Sequence, residues 1–277
     1  MSILEVHDVS IRYMTGDFKD IGLKEYVMRK LKGEYHVNEF WADRNISFSL
    51  EKGDMLGIIG TNGAGKSTLL KTAVGILPPL SGEITIDKSP ASEMTRQEIA
   101  RKIAYLPQSR SIPDMTVRQM VLHGRFPHLG YPRRYGEKDR EIADRALMQT
   151  GLSDLADMPL SALSGGMRQN ACIAMALAQD TDYIMLDEPT TFLDVSNGLE
   201  VMKILRELAD GGKGVAAVMH DLPLAFKCSD AVAVLKNGGI AACGTPEQIC
   251  ASGIVRDIFG VGLRYCADGD YYHYTYD

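Results

Sequence analysis

The stretch that most constrains this chain is GTNGAGKST at 60–68. It fits G-x-x-x-x-G-K-[ST] and stands between a short apolar run, MLGIIG (55–60), and the helical pattern STLLKTAVGIL, which is expected to stop at Pro78-Pro79. Strand, glycine loop and helix let consecutive backbone N–H groups curve around phosphate oxygens, with Gly wherever a Cβ would collide or φ is positive. A helix opening near Lys66 turns its free N–H groups and positive dipole end toward the anion. The pattern predicts that Gly60, Thr61, Asn62, Gly63, Ala64 and Gly65 form the cradle. Lys66 is expected to reach the β- and γ-phosphates, Ser67 to ligate Mg²⁺ and Thr68 to donate to the α-phosphate.

A second constellation complements it. YIMLDE (183–188) carries four apolar residues through a sheet core and delivers Asp187 and Glu188 at the carboxyl end of a strand, where open α/β sheets place their sites. Asp187 is expected to hold Mg²⁺ and Glu188 to take a proton from an attacking water. His220, closing GVAAVMH (214–220), is expected on the neighbouring strand, where it can contact the γ-phosphate.

Around these motifs strand and helix patterns alternate. ILEVHDVSI (3–11) reads as an edge strand, and ISFSL (46–50), GEITI (82–86), IAYLP (103–107) and AVAVLK (231–236) as further strands. EKDREIADRALMQTGL (137–152) carries one apolar stripe, Ile142, Ala143, Ala146 and Leu147, with Gly151 as a C-cap. Helices are also expected from Ser164, over 196–209, near 223–228 and, as the final one, near 246–251. Repeated strand-then-helix units predict an α/β fold whose mainly parallel sheet is covered on both faces. Residues 14–40 interrupt this pattern with scattered glycines and mixed charge. They predict a surface insertion with one short helix at 24–31.

The 277 residues carry 30 Lys and Arg against 36 Asp and Glu, and a net charge of −6 offers nucleic acid no basic field. An apolar content of 45% supplies a core and excludes overall disorder. Five cysteines without a C-x-x-C pair predict reduced thiols in a cytoplasmic setting and no structural zinc. The opening MSILEVHDVS lacks the pattern of a secretory signal, and no run approaches the ~20 apolar residues of a membrane span. Work at a membrane is therefore expected to run through a partner.

With LSGGM (163–167) added, these pieces resemble the nucleotide-binding subunit of an ATP-binding cassette transporter over nearly the whole chain. The resemblance implies a phosphate-loop core with a mixed or parallel sheet, an N-terminal antiparallel β-region and a helical subdomain. It divides a single domain, 1–277, into a core of 1–107 and 180–244 (with the 14–40 insertion), a helical subdomain of 108–179 and a C-terminal extension of 245–277. It also implies hydrolysis of ATP with Mg²⁺ between two copies of the chain. Ser164, Gly165 and Gly166 of one copy would serve the nucleotide held by the other. Gln108 matches the family glutamine that reaches Mg²⁺ and the attacking water, and Asp194 in TFLD (191–194) matches the acidic member of a loop crossing the dimer interface. The family stacks an aromatic residue on adenine. Tyr13 follows the first strand as that residue should, with Phe40 and Trp41 as alternatives beyond the insertion. Met167, Asn170 and Thr191-Phe192 depart from the usual family residues without removing a catalytic group.

Two likenesses point to different transporters. FWADRNISFSLEKGDMLGIIG, behind a basic insertion, resembles the ATPases of polysaccharide and teichoic-acid exporters. GRFPHLGY (124–131), IAMALAQD (173–180) and the aromatic tail look like the ATPases that drive uptake of iron-siderophore, haem or cobalamin complexes, and this likeness spans more of the chain. The partners implied are integral-membrane permease subunits, a second copy of the chain and, indirectly, an extracytoplasmic substrate-binding protein. The chain would then sit at the cytoplasmic face of the membrane. The alternative is a soluble cassette ATPase without a permease, which usually carries long coiled coils or two cassettes in one chain.

Overall fold

The computed structural model describes residues 3–15, 38–108, 113–191, 193–268 and 271–276. β1 (Ile3–Thr15) and β2 (Asn38–Glu51) pair antiparallel, ending with Met14 opposite Glu39 and Thr15 opposite Asn38. The hairpin thus takes residues at both ends of the expected insertion. Residues 16–37, with the helix expected at 24–31, lie outside the described residues.

β3 (Met55–Gly60) is buried along its whole length and leads through the glycine loop into α1 (Lys66–Ala73). The helix ends at Ala73 rather than at Pro78, because Gly75 adopts φ 71° and Ile76 N–H turns back to Lys71 O at 2.8 Å. β4 (Ser81–Ile86), the short β5 (Ser89–Pro90), α2 (Arg96–Lys102) and β6 (Ile103–Leu106) follow. The helical subdomain packs α3 (Val117–His123), α4 (Glu137–Gln149) and α5 (Gly165–Ala178) together. α4 buries the stripe Ile142, Ala143, Ala146 and Leu147, and Gly151 beyond it takes φ 67°. Arg125 is buried and joins this subdomain internally: Nε donates to Asp139 Oδ1 at 3.0 Å and Nη1 to Ala178 O at 3.0 Å.

The chain returns through β7 (Tyr183–Asp187), α6 (Val195–Asp210), β8 (Gly214–Val218), α7 (Leu222–Cys228), β9 (Ala231–Lys236) and β10 (Gly239–Gly244). α8 (Pro246–Ala251) is not the last helix. α9 (Ile254–Phe259) and an antiparallel hairpin, β11 (Leu263–Asp268) with β12 (Tyr271–Tyr276), follow, and the hairpin packs on α7.

Among the described residues the central sheet runs β10-β9-β3-β8-β7-β6, parallel except for β10. An antiparallel sheet runs β2-β1-β4-β5. β1 therefore lies between two strands and not at an edge. Its alternation looks loose because a register shift between Val6 and Val9, at a left-handed Asp8, changes phase while Leu4, Val6, Val9 and Ile11 all stay buried. Along the central strands, alternate residues serve two cores. Met55, Ile59, Ile184, Leu186, Val215 and Ala217 join the helical side, whereas Leu56, Ile58, Met185, Ala216 and Val218 join α1 and the antiparallel sheet. Strands covered on both faces need no polar alternation, which accounts for their continuous apolar sequences. No helix among the described residues is long and apolar enough to cross a membrane.

Candidate nucleotide site

The strand order puts β3 beside β8, and β8 beside β7. Parallel register then brings the loop after β3 and the residues after β7 and β8 to one edge of the sheet. Asp187 ends β7, whereas His220 lies two residues past β8 rather than closing that strand. A cavity of about 620 Å³ opens there. Asn62 to Thr68 form one wall, and Gln108, Glu188, Thr191 and His220 face them.

The loop has the shape of an anion cradle. Gly63 takes φ 77° with open space where a Cβ would stand, and Gly65 takes φ 99°. A Cβ on Gly65 would overlap Oδ1 of Asp43 and stand 2.5 Å from the Ala42 carbonyl oxygen, so both backbone conformation and space demand glycine there. Gly60 and Thr61 accept hydrogen bonds from Lys66 Nζ through their carbonyls at 2.8 and 3.0 Å. Burial lowers the pKa of Lys66, and the negative charges of Glu188 and Asp187 work against that shift. A buried ammonium held by neutral carbonyls at the start of a helix fits a phosphate chain.

The carboxylates occupy two distinct settings. Asp187 is buried and accepts from Ser67 Oγ at 3.0 Å, with Tyr105 Oη at 3.5 Å from its other oxygen. Burial raises its pKa against the Ser67 hydrogen bond, and the neighbouring Glu188 charge adds to the rise. Ser67 hydroxyl and Asp187 carboxylate make a hard-oxygen donor pair of the kind Mg²⁺ prefers. Glu188 accepts from Gln108 Nε2 at 2.5 Å and Thr191 Oγ1 at 3.0 Å, and His220 Nε2 lies 2.6 Å from its Oε1. Burial pushes the Glu188 carboxyl up, but these three hydrogen bonds outweigh it and hold the pKa below the ordinary glutamate value. Glu188 itself has φ 55°, unusual for a residue with a side chain, and its N–H donates to Val218 O at 3.1 Å.

Ser164, Gly165, Gly166 and Asp194 do not line this cavity. Ser164 caps α5 by accepting from Met167 N–H at 3.3 Å, and Asp194 caps α6 by accepting from Asn197 N–H at 2.8 Å. Asn197 joins the two caps: its Nδ2 donates to Asp194 Oδ2 at 2.8 Å, and its side chain packs so tightly on Gly166 that a Cβ there would stand 2.8 Å from Cγ. Sequence reasoning missed Asn197, as it missed the contacts of Thr191 and Tyr105. Only Thr191, three residues after Glu188 in a turn, carried a local signal. Tyr13 pairs with Phe40, and Arg12 with Trp41, at the insertion end of the hairpin. The side chains of Tyr13, Phe40 and Trp41, and the whole of Phe192, lie outside what is described.

A family model for the ABC transporter matches residues 44–191, a stretch holding the glycine loop, Gln108, LSGGM and Glu188. The chain belongs to the ABC transporter family. It is 40% identical over 225 residues to the petrobactin import ATP-binding protein FpuD of Bacillus anthracis, a match covering 80% of this chain and 82% of that protein. A solved chain described as an inward-facing conformation of a metal-chelate type ABC transporter superposes with a TM-score of 0.78 at 26% identity, covering 100% of this chain and 98% of that one. The dimeric post-hydrolysis state of the ATP-binding cassette MJ0796, bound to ADP and Pi, gives a TM-score of 0.71 at 25% identity over 88% of this chain and 98% of that one. As an ABC transporter subunit the chain is an ATP-hydrolysing enzyme, and its relatives include siderophore and metal-chelate import ATPases.

Proposed function

We propose that two copies of this subunit close around two Mg-ATP and power a membrane permease that imports an iron-siderophore or a related metal chelate. The observation that carries the reading is the cavity itself: an anion cradle faces Glu188, a carboxylate kept ionised by hydrogen bonds. Ser164, Gly165 and Gly166 do not line that cavity, which supports a site completed by a second copy.

In this reading the loop amides and Lys66 bind the triphosphate. Lys66 exchanges the Gly60 and Thr61 carbonyls for phosphate oxygens. Glu188 accepts the proton of the water that attacks the γ-phosphorus, and ADP leaves with the β–γ bridging oxygen. His220 and Gln108 orient Glu188 and the water. Ser67, Asp187 and Gln108 would hold Mg²⁺, which neutralises charge on the phosphates when bound. Ser164, Gly165, Gly166 and Asp194 of the second copy complete the enclosure, and an aromatic residue at the insertion end of the hairpin, Tyr13 for preference, takes the adenine. The import direction draws on FpuD and the metal-chelate type transporter, which match most of the chain, including the helical subdomain. An extracytoplasmic binding protein would deliver the chelate, and this subunit would sit at the cytoplasmic face.

The test is to isolate the subunit with its membrane partner, reconstitute the complex in vesicles and assay ATPase activity with ferric chelates and a binding protein. Stimulation by a chelate supports the reading. A permease of the polymer-export type, indifferent to every chelate, sinks the import assignment and leaves the ATPase.

A further inference from the structure

Behind the phosphate loop lies a carboxyl group that none of the motifs accounts for. Asp43 of β2 has no exposed surface, and neither of its side-chain oxygens has a hydrogen-bond partner among the described residues. A bulge puts it there. Ile11 pairs with Asp43 and Arg12 with Trp41, leaving Ala42 as the extra residue of β2. Ala42 lines the nucleotide cavity while Asp43 turns inward. Its Oδ1 lies against Gly65, whose other side faces the cavity, so one residue's backbone separates this carboxyl from the space a phosphate would fill.

A buried polar group without a partner is costly, and an ionised one far more so. Burial accordingly pushes the Asp43 pKa up to about 7. On the surrounding elements the charged residues nearest to it in register are Arg12 on β1 and Arg44 on β2, with Lys66 opening α1 and Lys236 ending β9; Glu5, Asp8, Glu39, Glu51 and Lys71 stand farther along β1, β2 and α1. Arg44 and Lys236 are exposed, and Lys66 is directed to the Gly60 and Thr61 carbonyls. Across the cavity stand Glu188 and His220.

We propose that Asp43 couples nucleotide affinity to a proton: the neutral carboxyl supports the loop at Gly65, and the carboxylate opposes an anion on the far side of that residue. This rests on reading residues 60–68 as the nucleotide site. Like charges disfavour one another, so bound phosphate tightens the hold of Asp43 on its proton, and by linkage the proton tightens nucleotide binding by the same factor. Affinity is constant while Asp43 is protonated in both states, and it falls as pH rises through the titration of the free protein. It levels off once the bound form has ionised as well. Each pKa unit between free and bound protein corresponds to about a tenfold change in affinity.

The experiment is calorimetry of Mg-ADP, which avoids turnover, on the full chain from about pH 6 to about pH 9 in two buffers of different ionisation enthalpy. The wild type is expected to weaken about tenfold over that range and to take up a fraction of a proton per ADP near pH 8. Asp43→Asn and Asp43→Leu should each keep the low-pH affinity and lose that proton uptake, and either one suffices for the comparison if the other fails to fold. A flat wild-type profile overturns the inference, as does the same profile and uptake in a variant; both leave nucleotide binding by the loop intact. Failure of the wild type to bind Mg-ADP at any pH removes the nucleotide reading itself.

Discussion

His220 Nε2 stands 2.6 Å from Oε1 of Glu188, joining the residues that follow β8 to those that follow β7 on the wall opposite the phosphate loop. Gln108 and Thr191 share the other carboxylate oxygen. The carboxylate is thus fixed from three sides and kept ionised, with its charge facing the cradle.

Replacing Glu188 by Gln keeps the size of the side chain but removes its ability to accept the water proton. Turnover should fall by roughly 10²–10⁴, the usual worth of a general base, with Mg-ATP binding retained. Steady-state ATPase and equilibrium ATP binding on the variant check this. Hydrolysis near the wild-type rate would remove Glu188 from the role of base.

His220→Ala makes a different prediction. Losing that hydrogen bond and charge raises the Glu188 pKa, since both act to lower it against the effect of burial. A base must be ionised to work, so the acid limb of kcat/KM should move to higher pH, in addition to any loss of rate. A limb at the same pH would show that His220 does not tune Glu188.

Asp43 also makes stability depend on pH. Its pKa rises from 3.8 to about 7, so the folded chain binds this proton more tightly than the unfolded chain does. The stabilisation is complete below about pH 4, declines as pH rises toward the folded pKa and is lost above it, a change of up to about 4 kcal/mol. Asp43→Leu should remove that decline. Urea melts of both proteins at about pH 5 and about pH 8 check it, with a smaller difference expected for the variant. Equal differences would show that Asp43 does not titrate in this way.

The parts of the site legible in the sequence are those whose signals are local. Glycines at fixed offsets between an apolar run and a helix located the loop, and four apolar residues before Asp187-Glu188 located β7. Asp43 gave no such signal, because its burial depends on a bulge at Ala42 that breaks strand alternation. Asn197 gave none either: it stands in α6 and meets Gly166 only through tertiary packing. β10 was missed because Gly239–Gly244 is too poor in large apolar residues to read as a strand, although it pairs along β9. The tail hairpin was missed for another reason. Its tyrosine-rich sequence carries no clean apolar–polar alternation, and in the fold it packs on α7.

The β1–β2 register sets the expectation for the insertion. Met14 and Glu39 are already opposite one another, so a short Gly-Ser turn in place of 15–38 closes a hairpin that exists. The shortened protein should fold and keep basal ATPase activity within about tenfold, with weaker ATP affinity if Tyr13 is displaced. Comparing it with Tyr13→Ala and Trp41→Ala assigns the adenine contact. Lost hydrolysis with unchanged ATP binding would give the insertion a part in dimer closure.

Light scattering tests most directly the proposal that a second copy completes the site. Glu188→Gln with Mg-ATP should run as a dimer and return to a monomer without nucleotide, as the proposed sharing of the triphosphate between two copies requires. Adding Ser164→Arg should abolish that dimer while each monomer still binds ATP at its own loop. A Glu188→Gln protein that stays monomeric when saturated with ATP, or a double variant that dimerises as well as the single one, would contradict the shared site.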